Sequence, residues 1–357
     1  MTEATLETRQ PDESSIPLGR MQRFHNAAVT PGIGVGIICG FVSAILYTFS
    51  NISLRHSVAA DPLLVAAMKA LPTVLCLSPF LIWLKLRGHA ITTSGRLVPR
   101  FVLVSLLGQV GGNGSFQIAL GNIGLAASVP ITLGSLLIGS AIVGRIILGE
   151  TVRRRTAIAI GILILAVIAL SQSGQPDAVV GDAVISDAVD SKLLTSSATA
   201  VIDSAELSHR RWLGAGCAVF SGLCFAVFSS TMRLNMQRGM QGVTAMWISG
   251  MVGSTALFAI VAWRGGLADL SQITPELWWS MGSAGVFNFL AFIAITTAIK
   301  VLPIVAVHLL NASQVAMAAT AGVVLFAEPV TSMLLTGIVL TMVGLLVLAK
   351  RRTTSAP

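Results

Sequence analysis

IGSAIVGRIILGETVRRRTAIAIGILILAVIAL, residues 138–170, is an apolar run that is interrupted by Glu150 and a short basic turn. A stretch of the same design, AATAGVVLFAEPVTSMLLTGIVLTMVGLLVLAK at 318–350, is interrupted by Glu328, which lies 178 residues further along the chain. A pattern of this length that occurs twice indicates an internal repeat.

The beginnings of the two halves match as well. FVSAILYTFSN at 41–51 resembles FSGLCFAVFSS at 220–230, at an offset of 179. Because the offset is nearly constant at both ends, we infer that one unit of about five helices was duplicated. Duplicated helical halves are typical of secondary transporters, whose substrate site lies between the repeats.

The composition indicates a membrane protein. Hydrophobic residues make up 54% of the chain and charged residues only 11%, whereas soluble domains carry about 25% charged residues. The net charge of +8 comes from short basic clusters between apolar runs, which is typical of membrane-protein loops. The four cysteines lie in apolar runs without metal-ligand spacing. We therefore expect no metal, no cofactor and no nucleic-acid partner.

Ten segments meet the requirement of about 20 predominantly apolar residues for a transmembrane helix. They are 33–53, 62–84, 98–119, 122–146, 154–172, 212–232, 242–262, 277–298, 302–326 and 330–349. The predicted fold class is an all-α polytopic membrane protein with ten transmembrane helices in two inverted five-helix repeats. The first repeat is 33–172 and the second is 212–350.

Three segments lie outside the repeats. Residues 1–32 are predicted to be a disordered cytoplasmic tail, and 351–357 a second cytoplasmic tail. Residues 173–211 are acidic and rich in small residues, which predicts a flexible extracytoplasmic linker. A calcium loop is an alternative interpretation of its carboxylates, but the glycine and closing glutamate of such a loop are missing.

The distribution of basic residues predicts the orientation. With the N-terminus inside, the cytoplasmic segments hold 17 Lys and Arg and the opposite segments hold 5. Such an excess marks the cytoplasmic side. Ten spans with five in each half then require the second half to be inverted.

Polar residues within the spans suggest where a ligand binds. Gln109, Asn113 and Gln117 recur at four-residue steps, which places them on one helix face. They either line a cavity or form hydrogen bonds between helices at a glycine-rich contact. Asn288 is the counterpart of Gln109 in the second half, at an offset of 179.

The ninth and first spans supply further candidates. His308, Asn311 and Gln314 follow one another at three-residue steps. His308 is either a proton-relay group or a neutral imidazole hydrogen-bonded to a neighbour. Tyr47 and Asn51 in the first span could contact the apolar and polar parts of a ligand.

Lys69 is a charged residue within the second span. A lysine at mid-span costs about 2.5–3.5 kcal/mol on insertion scales, so it usually serves a function. We expect it to attract an anionic group of the substrate, such as a carboxylate. The alternative is that it extends to the outer membrane surface, since it lies only seven residues from Pro62.

Residue patterns that the sequence lacks limit the classes of protein to which it can belong. No acidic residue lies within a span and there is no phosphate-binding loop, so we expect neither an obvious sodium site nor ATP hydrolysis. No cluster of nucleophile, base or metal ligand indicates catalysis, so we do not expect an enzyme. A membrane enzyme acting on lipid-linked substrates and a non-transporting membrane subunit remain as alternatives to a transporter.

Several motifs resemble EamA-domain transporters of the drug/metabolite transporter superfamily. They are the two five-helix repeats, Gly149-Glu150 and Ala327-Glu328 after the fourth and ninth spans, and Asp61-Pro62 followed by Lys69. The resemblance covers about 33–350 except the insertion. This sequence departs from the family in having a lysine where an arginine is usual.

The resemblance implies export or exchange of amino acids, other metabolites or drugs across a bacterial inner (plasma) membrane from a central cavity. Both termini are expected to be cytoplasmic. The expected partners are the lipid bilayer and a small-molecule substrate. A second copy of the chain, in a homodimer, is a further candidate partner. The predicted substrate-binding residues are the following: Tyr47, Asn51, Lys69, Gln109, Asn113, Gln117, Asn288, His308, Asn311 and Gln314.

Overall fold

A computed structural model describes residues 32–88, 97–148, 154–172, 192–266, 270–271, 273–302 and 304–349. In this part of the chain the regular structure is helical throughout. The helices are α1 (Ile33–His56), α2 (Pro62–Leu86), α3 (Val98–Leu106), a π-helix (Leu107–Gly114), α4 (Ser115–Leu148), α5 (Arg154–Gln172), α6 (Lys192–Gln237), α7 (Gly242–Trp263), α8 (Pro275–Val301), α9 (Ile304–Asn311), α10 (Gln314–Phe326) and α11 (Ser332–Ala349).

The helices have the properties of an integral membrane protein. Among the described residues, six segments are long and apolar enough to cross a membrane, and three shorter helical stretches are also apolar. Many large apolar side chains on these helices are exposed, as expected where lipid replaces water. Trp263 and Trp279, each at the end of a helix, are 87% and 80% exposed, as in the aromatic belts at membrane interfaces.

The predicted third and fourth spans are joined by a sharp break at Gly124. Its backbone has φ 75° and ψ −179° within the nominal range of α4, a conformation that glycine adopts without steric cost. The break lies near the boundary between the predicted third span, 98–119, and the predicted fourth span, 122–146. It turns the chain without a polar loop.

The segment predicted as the ninth span, 302–326, does not form one continuous helix. The structure contains two helices, α9 and α10, which are separated at Ala312-Ser313. The Ser313 hydroxyl donates to the Leu310 carbonyl at 2.9 Å, a local hydrogen bond that competes with helix continuation. The break places Asn311 and Gln314 at two helix ends.

The segments outside the repeats are only partly described. Residues 1–31, 173–191 and 350–357 lie outside the described part of the chain. Helix α6 begins at Lys192, so it extends into the segment that was predicted to be a linker, 173–211.

Helix pairs from the two halves build the core of the bundle. α4 packs on α6, α1 on α8, α2 on α7, and α5 on α11. Gly222 allows α6 to approach α4 closely, since a Cβ there would lie 2.7 Å from the Ser135 Cβ. Small residues commonly allow such close contact between membrane helices.

Glu328 joins the two halves at one end of the bundle. Its carboxylate accepts hydrogen bonds from the backbone N–H groups of Leu125 and Ala126, at 2.6 and 2.8 Å. It also pairs with Arg55, with Nε 3.2 Å from Oε1, and Arg55 donates to the Leu120 carbonyl at 2.9 Å. A negative charge at the N-terminal end of a helix is stabilising, because the free N–H groups point toward it.

The Glu328 carboxylate therefore caps the helical stretch after Gly124, in the other half of the chain. Glu150 lies outside the described residues.

Candidate substrate cavity

A cavity of about 170 Å³ lies between the two halves. Nine of the ten residues that the sequence predicted for substrate binding line it: Tyr47, Asn51, Lys69, Gln109, Asn113, Asn288, His308, Asn311 and Gln314. Gln109 and Asn288, which the sequence offset predicts to be counterparts, therefore share one space.

Lys69 is placed in the cavity wall by the first turns of α2. The Asp61 side chain accepts from the N–H groups of Leu63 and Leu64, and Pro62 occupies the first turn, where its missing N–H is not needed. Two turns later the Lys69 side chain is only 6% exposed.

The Lys69 ammonium points to the interior of the bundle. Its Nζ donates to Asn113 Oδ1 at 2.9 Å and lies 5.8 Å from the centre of the Phe116 ring, within the range of a cation–π interaction. These contacts do not support the alternative that the side chain extends to the membrane surface. Within the described part of the chain, Lys69 has no carboxylate partner, and the ion pair found there joins Arg55 to Glu328.

The π-helix Leu107–Gly114 carries two of the cavity amides. Gln109 Oε1 accepts from Asn113 Nδ2 at 2.6 Å, and Gln109 Nε2 donates to the Ser249 hydroxyl of α7 at 2.7 Å. The glycines of this helix let α6 approach, since a Cβ on Gly112 would lie 2.7 Å from the Phe225 ring. Single π-helical turns occur frequently at functional sites.

Gln117 is the one predicted residue that does not line the cavity. It is 2% exposed, and its Nε2 donates to the Leu54 carbonyl at 3.1 Å. The prediction assumed one regular helix from Gln109 to Gln117. The winding changes from π to α at Ser115, so equal sequence steps do not keep all three side chains on one face.

The broken ninth span contributes three polar groups that contact other helices. Asn311 Oδ1 accepts from the Ser43 hydroxyl at 3.2 Å, and Gln314 Oε1 accepts from Asn51 at 3.4 Å. His308 Nε2 lies 3.4 Å from the Ser229 hydroxyl. This last contact agrees with the interpretation of His308 as an imidazole bonded to a neighbour.

The apolar wall of the cavity was not predicted from the sequence. Its aromatic members are Phe116, Phe225, Phe228 and Phe292, together with Tyr47. A signal is present in α8, where Asn288, Phe292, Ile295 and Ile299 recur at the spacing of one helix face. Such spacing is equally typical of an ordinary core, so it becomes informative only once Asn288 is known to line a cavity.

The cavity combines one cation, several amides and an apolar wall. No acidic side chain lines it within the described part of the chain, and no group of His, Cys, Asp or Glu there could hold a metal ion. Its chemistry therefore suits recognition of a small molecule with a negative group and an apolar body.

A family model described as the EamA-like transporter family matches residues 212–350. The second half of the chain is thus similar to an EamA-like transporter domain. This family is part of the drug/metabolite transporter superfamily, and the domain supplies Asn288, His308, Asn311 and Gln314 to the cavity. None of the curated proteins matches the chain.

The EamA-like domain and the rest of the chain together have a fold that is found in solved structures. One of them, titled "Crystal structure of protein", is similar to 87% of this chain over 95% of its own length, with a TM-score of 0.52. The two sequences are 17% identical, so this similarity concerns the fold alone.

Proposed function

We propose that the chain is a secondary transporter that moves small metabolites with a carboxylate and an apolar body, such as amino acids or related organic anions, by alternating access. The observation that carries the proposal is the buried ammonium of Lys69, which lines the cavity and bonds to a neutral amide. The EamA-like domain supports membrane transport as the general function.

The energetic argument concerns the charge on Lys69. A charged side chain at this depth is costly unless it is paired or solvated. The Asn113 carbonyl uses one of the three N–H donors of the ammonium. A carboxylate that enters the cavity could accept the remaining donors and neutralise the charge, so the site favours an anion over a neutral molecule of equal shape.

The apolar wall supports a substrate with a hydrophobic body. Phe228 lies between Phe101 and Phe292, with ring centroids 5.9 and 6.3 Å away. A ring or branched chain placed against this surface would leave water, which is favourable in proportion to the apolar area buried. Amide side chains elsewhere in the cavity wall would orient the polar end of the substrate.

The packing of the helices supports two related repeats. Suppose that each helix is replaced by its predicted counterpart in the other half. The contact of α1 with α8 then becomes the contact of α6 with the π-helix and α4, which is also present. The α2–α7 and α5–α11 contacts each remain the same pair. This is the pattern that a two-fold axis through the cavity produces. We propose that the repeats are inverted, that the ten predicted segments all cross the membrane, and that the repeats rock about this axis.

The orientation belongs to the same proposal. The excess of basic residues in alternate loops supports cytoplasmic termini, and the resemblance to bacterial exporters supports the inner membrane. Export or exchange then moves the substrate from the cytoplasmic to the extracytoplasmic side.

Flux in proteoliposomes tests this function. Purified protein is reconstituted, and the uptake of radiolabelled phenylalanine, leucine and phenylacetate is measured with and without a pH gradient. We expect uptake of at least one of these anions or zwitterions, and a loss of more than about tenfold in Lys69→Met, because a substrate carboxylate then lacks its buried partner. Lys69→Arg should retain part of the activity.

Lys85→Met is the matched control, since Lys85 is an exposed lysine on the same helix. Undiminished flux in Lys69→Met would contradict the role of the ammonium. No flux of any of the three solutes would contradict the proposal and favour a non-transporting membrane subunit.

A further inference from the structure

A chain of three hydrogen bonds leads from α7 to the Lys69 ammonium. The Ser249 hydroxyl accepts from Gln109 Nε2 at 2.7 Å, and Gln109 Oε1 accepts from Asn113 Nδ2 at 2.6 Å. Asn113 Oδ1 then accepts from Lys69 Nζ at 2.9 Å. The ammonium can only donate, so it turns Asn113 Oδ1 toward itself, and the series then presents Gln109 Nε2 to the Ser249 hydroxyl.

Ser249 itself lies outside the cavity wall. It is fully buried and is not one of the residues that line the cavity, so it cannot touch a ligand there. It belongs to the EamA-like domain, whereas the other three residues belong to the first half of the chain. The orientation of the cavity lysine is thus connected to the half that does not contain it.

The backbone keeps this chain of bonds short. Gln109 and Asn113 lie within the π-helix. Gly253 of α7 faces Gln109, and a Cβ on Gly253 would lie 2.8 Å from the Gln109 Cγ. The glycine therefore lets α7 come close enough for Ser249 to bond to Gln109.

We propose that Ser249 is a positioning residue for an anion site at Lys69, which rests on the proposed function. By accepting from Gln109 Nε2, the hydroxyl satisfies the last amide donor of the series and anchors Gln109 where its Oε1 supports Asn113, whose Oδ1 accepts from Lys69. With that orientation held, the remaining N–H donors of Lys69 are directed to a ligand rather than to a neighbouring amide. Without this anchor on α7, the Gln109 amide can leave the position that supports Asn113, and the direction of the Lys69 ammonium is then less well fixed.

The test compares two ligands of nearly equal shape, phenylacetate and its neutral analogue phenylacetamide. Their affinities are derived from the ligand-induced rise in melting temperature of the full-length protein in detergent, because a ligand that binds only the folded state stabilises it. We expect Ser249→Ala to weaken phenylacetate binding by about threefold to tenfold, the usual effect of one hydrogen bond. Binding of phenylacetamide should stay unchanged.

Ser254→Ala is the matched control on the same helix. Ser254 is also buried, but its hydroxyl donates to backbone carbonyls of its own helix, at 2.8 Å to Gly250. We expect this variant to retain the wild-type preference for the carboxylate. If its melting temperature without ligand falls as far as that of Ser249→Ala, the selective loss in Ser249→Ala cannot be attributed to stability.

Three other results have distinct meanings. If Ser249→Ala keeps the full preference while Lys69→Met loses it, the positioning role of Ser249 is wrong and the proposed anion site stands. If Ser249→Ala weakens both ligands equally, Ser249 has only a structural role and the inference is overturned. If the wild type shows no preference for phenylacetate, the anion site and the inference that rests on it both fail.

Discussion

The ammonium of Lys69 is surrounded by side chains that can bond to it without neutralising it. Asn113 offers an amide oxygen and Phe116 offers the face of a ring. A carboxylate in either place would form a permanent ion pair and remove the reason to bind an anion. In the proposed function, selectivity for an anion follows because the buried charge of Lys69 is incompletely compensated by its neighbours.

A second residue-scale feature is the space around the Glu328 carboxylate. A Cβ on Gly124 would collide with Glu328 Oε1, and one on Gly322 would collide with Glu328 Oε2. The two glycines come from different halves of the chain. The carboxylate therefore fits only because neither position carries a side chain.

We expect Gly124→Ala to lower the free energy of unfolding by about 2–4 kcal/mol, because it combines a left-handed backbone with the collision against Glu328. Gly88→Ala is the control, since Gly88 has φ 77° but open space around its Cβ position. Only the backbone cost of about 1–2 kcal/mol should appear there. Chemical unfolding in detergent micelles measures both, and equal losses would show that the Glu328 contact is unimportant.

At the scale of elements, the helices are interrupted where they carry functional groups. The π-helix Leu107–Gly114 presents Gln109 and Asn113, and the gap between α9 and α10 presents Asn311 and Gln314. In a regular helix the backbone N–H and C=O groups bond to one another, and side chains at a fixed spacing stay on one face. An interruption re-aims side chains and is tolerated at membrane depth where the backbone is enclosed by protein.

The Glu328 cap joins three elements, α1 through Arg55, α4 through Leu125 and Ala126, and the end of α10. Ala327, which precedes it, has φ 49° and ends α10 in the left-handed conformation. The Glu328 N–H then donates to the Gly322 carbonyl at 3.1 Å, as does the Ala327 N–H, so the turn provides donors for a carbonyl near the end of the helix. The turn thereby aims the carboxylate at the other half of the chain.

We expect Glu328→Gln to destabilise the protein by about 1.5–3 kcal/mol, the contribution of hydrogen bonds to a charged group. Arg55→Gln should cost less, and the double variant should cost less than the two single changes together, because the residues act as a pair. Glu276→Gln is the control, an exposed glutamate in the first turn of α8. Additive effects in the double variant would contradict direct coupling between Arg55 and Glu328.

At the scale of the whole molecule, the two halves build one cavity and share its polar groups. Lys69, Gln109 and Asn113 come from the first half, and Asn288 and His308 from the second. Ser249 in the second half accepts a hydrogen bond from Gln109 in the first. Neither half alone contains the site.

The charge distribution predicts the placement of the termini. We expect a C-terminal fusion to green fluorescent protein to be fluorescent and a C-terminal fusion to alkaline phosphatase to be inactive, because the first folds in the cytoplasm and the second needs the extracytoplasmic side. Phosphatase fused after Arg264, in a segment predicted to be outside, is the positive control. An active C-terminal phosphatase would contradict an even number of spans with a cytoplasmic N-terminus.

Much of the architecture was predictable because bilayer constraints act on the sequence directly. Composition and run length indicated an all-helical membrane protein, and polar residues within apolar runs indicated the cavity. These signals are local or periodic. Nine of the ten predicted site residues therefore line the cavity in the structure.

Only the tertiary structure decided which partner each polar group has. The π-helical winding removed Gln117 from the cavity, a break divided the ninth span, and Glu328 capped a helix more than 200 residues away rather than its own neighbour. Ser249 gave no signal in the sequence, because a serine in a helix can bond equally well to its own backbone. The physical reason is that hydrophobicity and charge act through residue type, whereas a hydrogen bond depends on the position of two atoms that folding brings together.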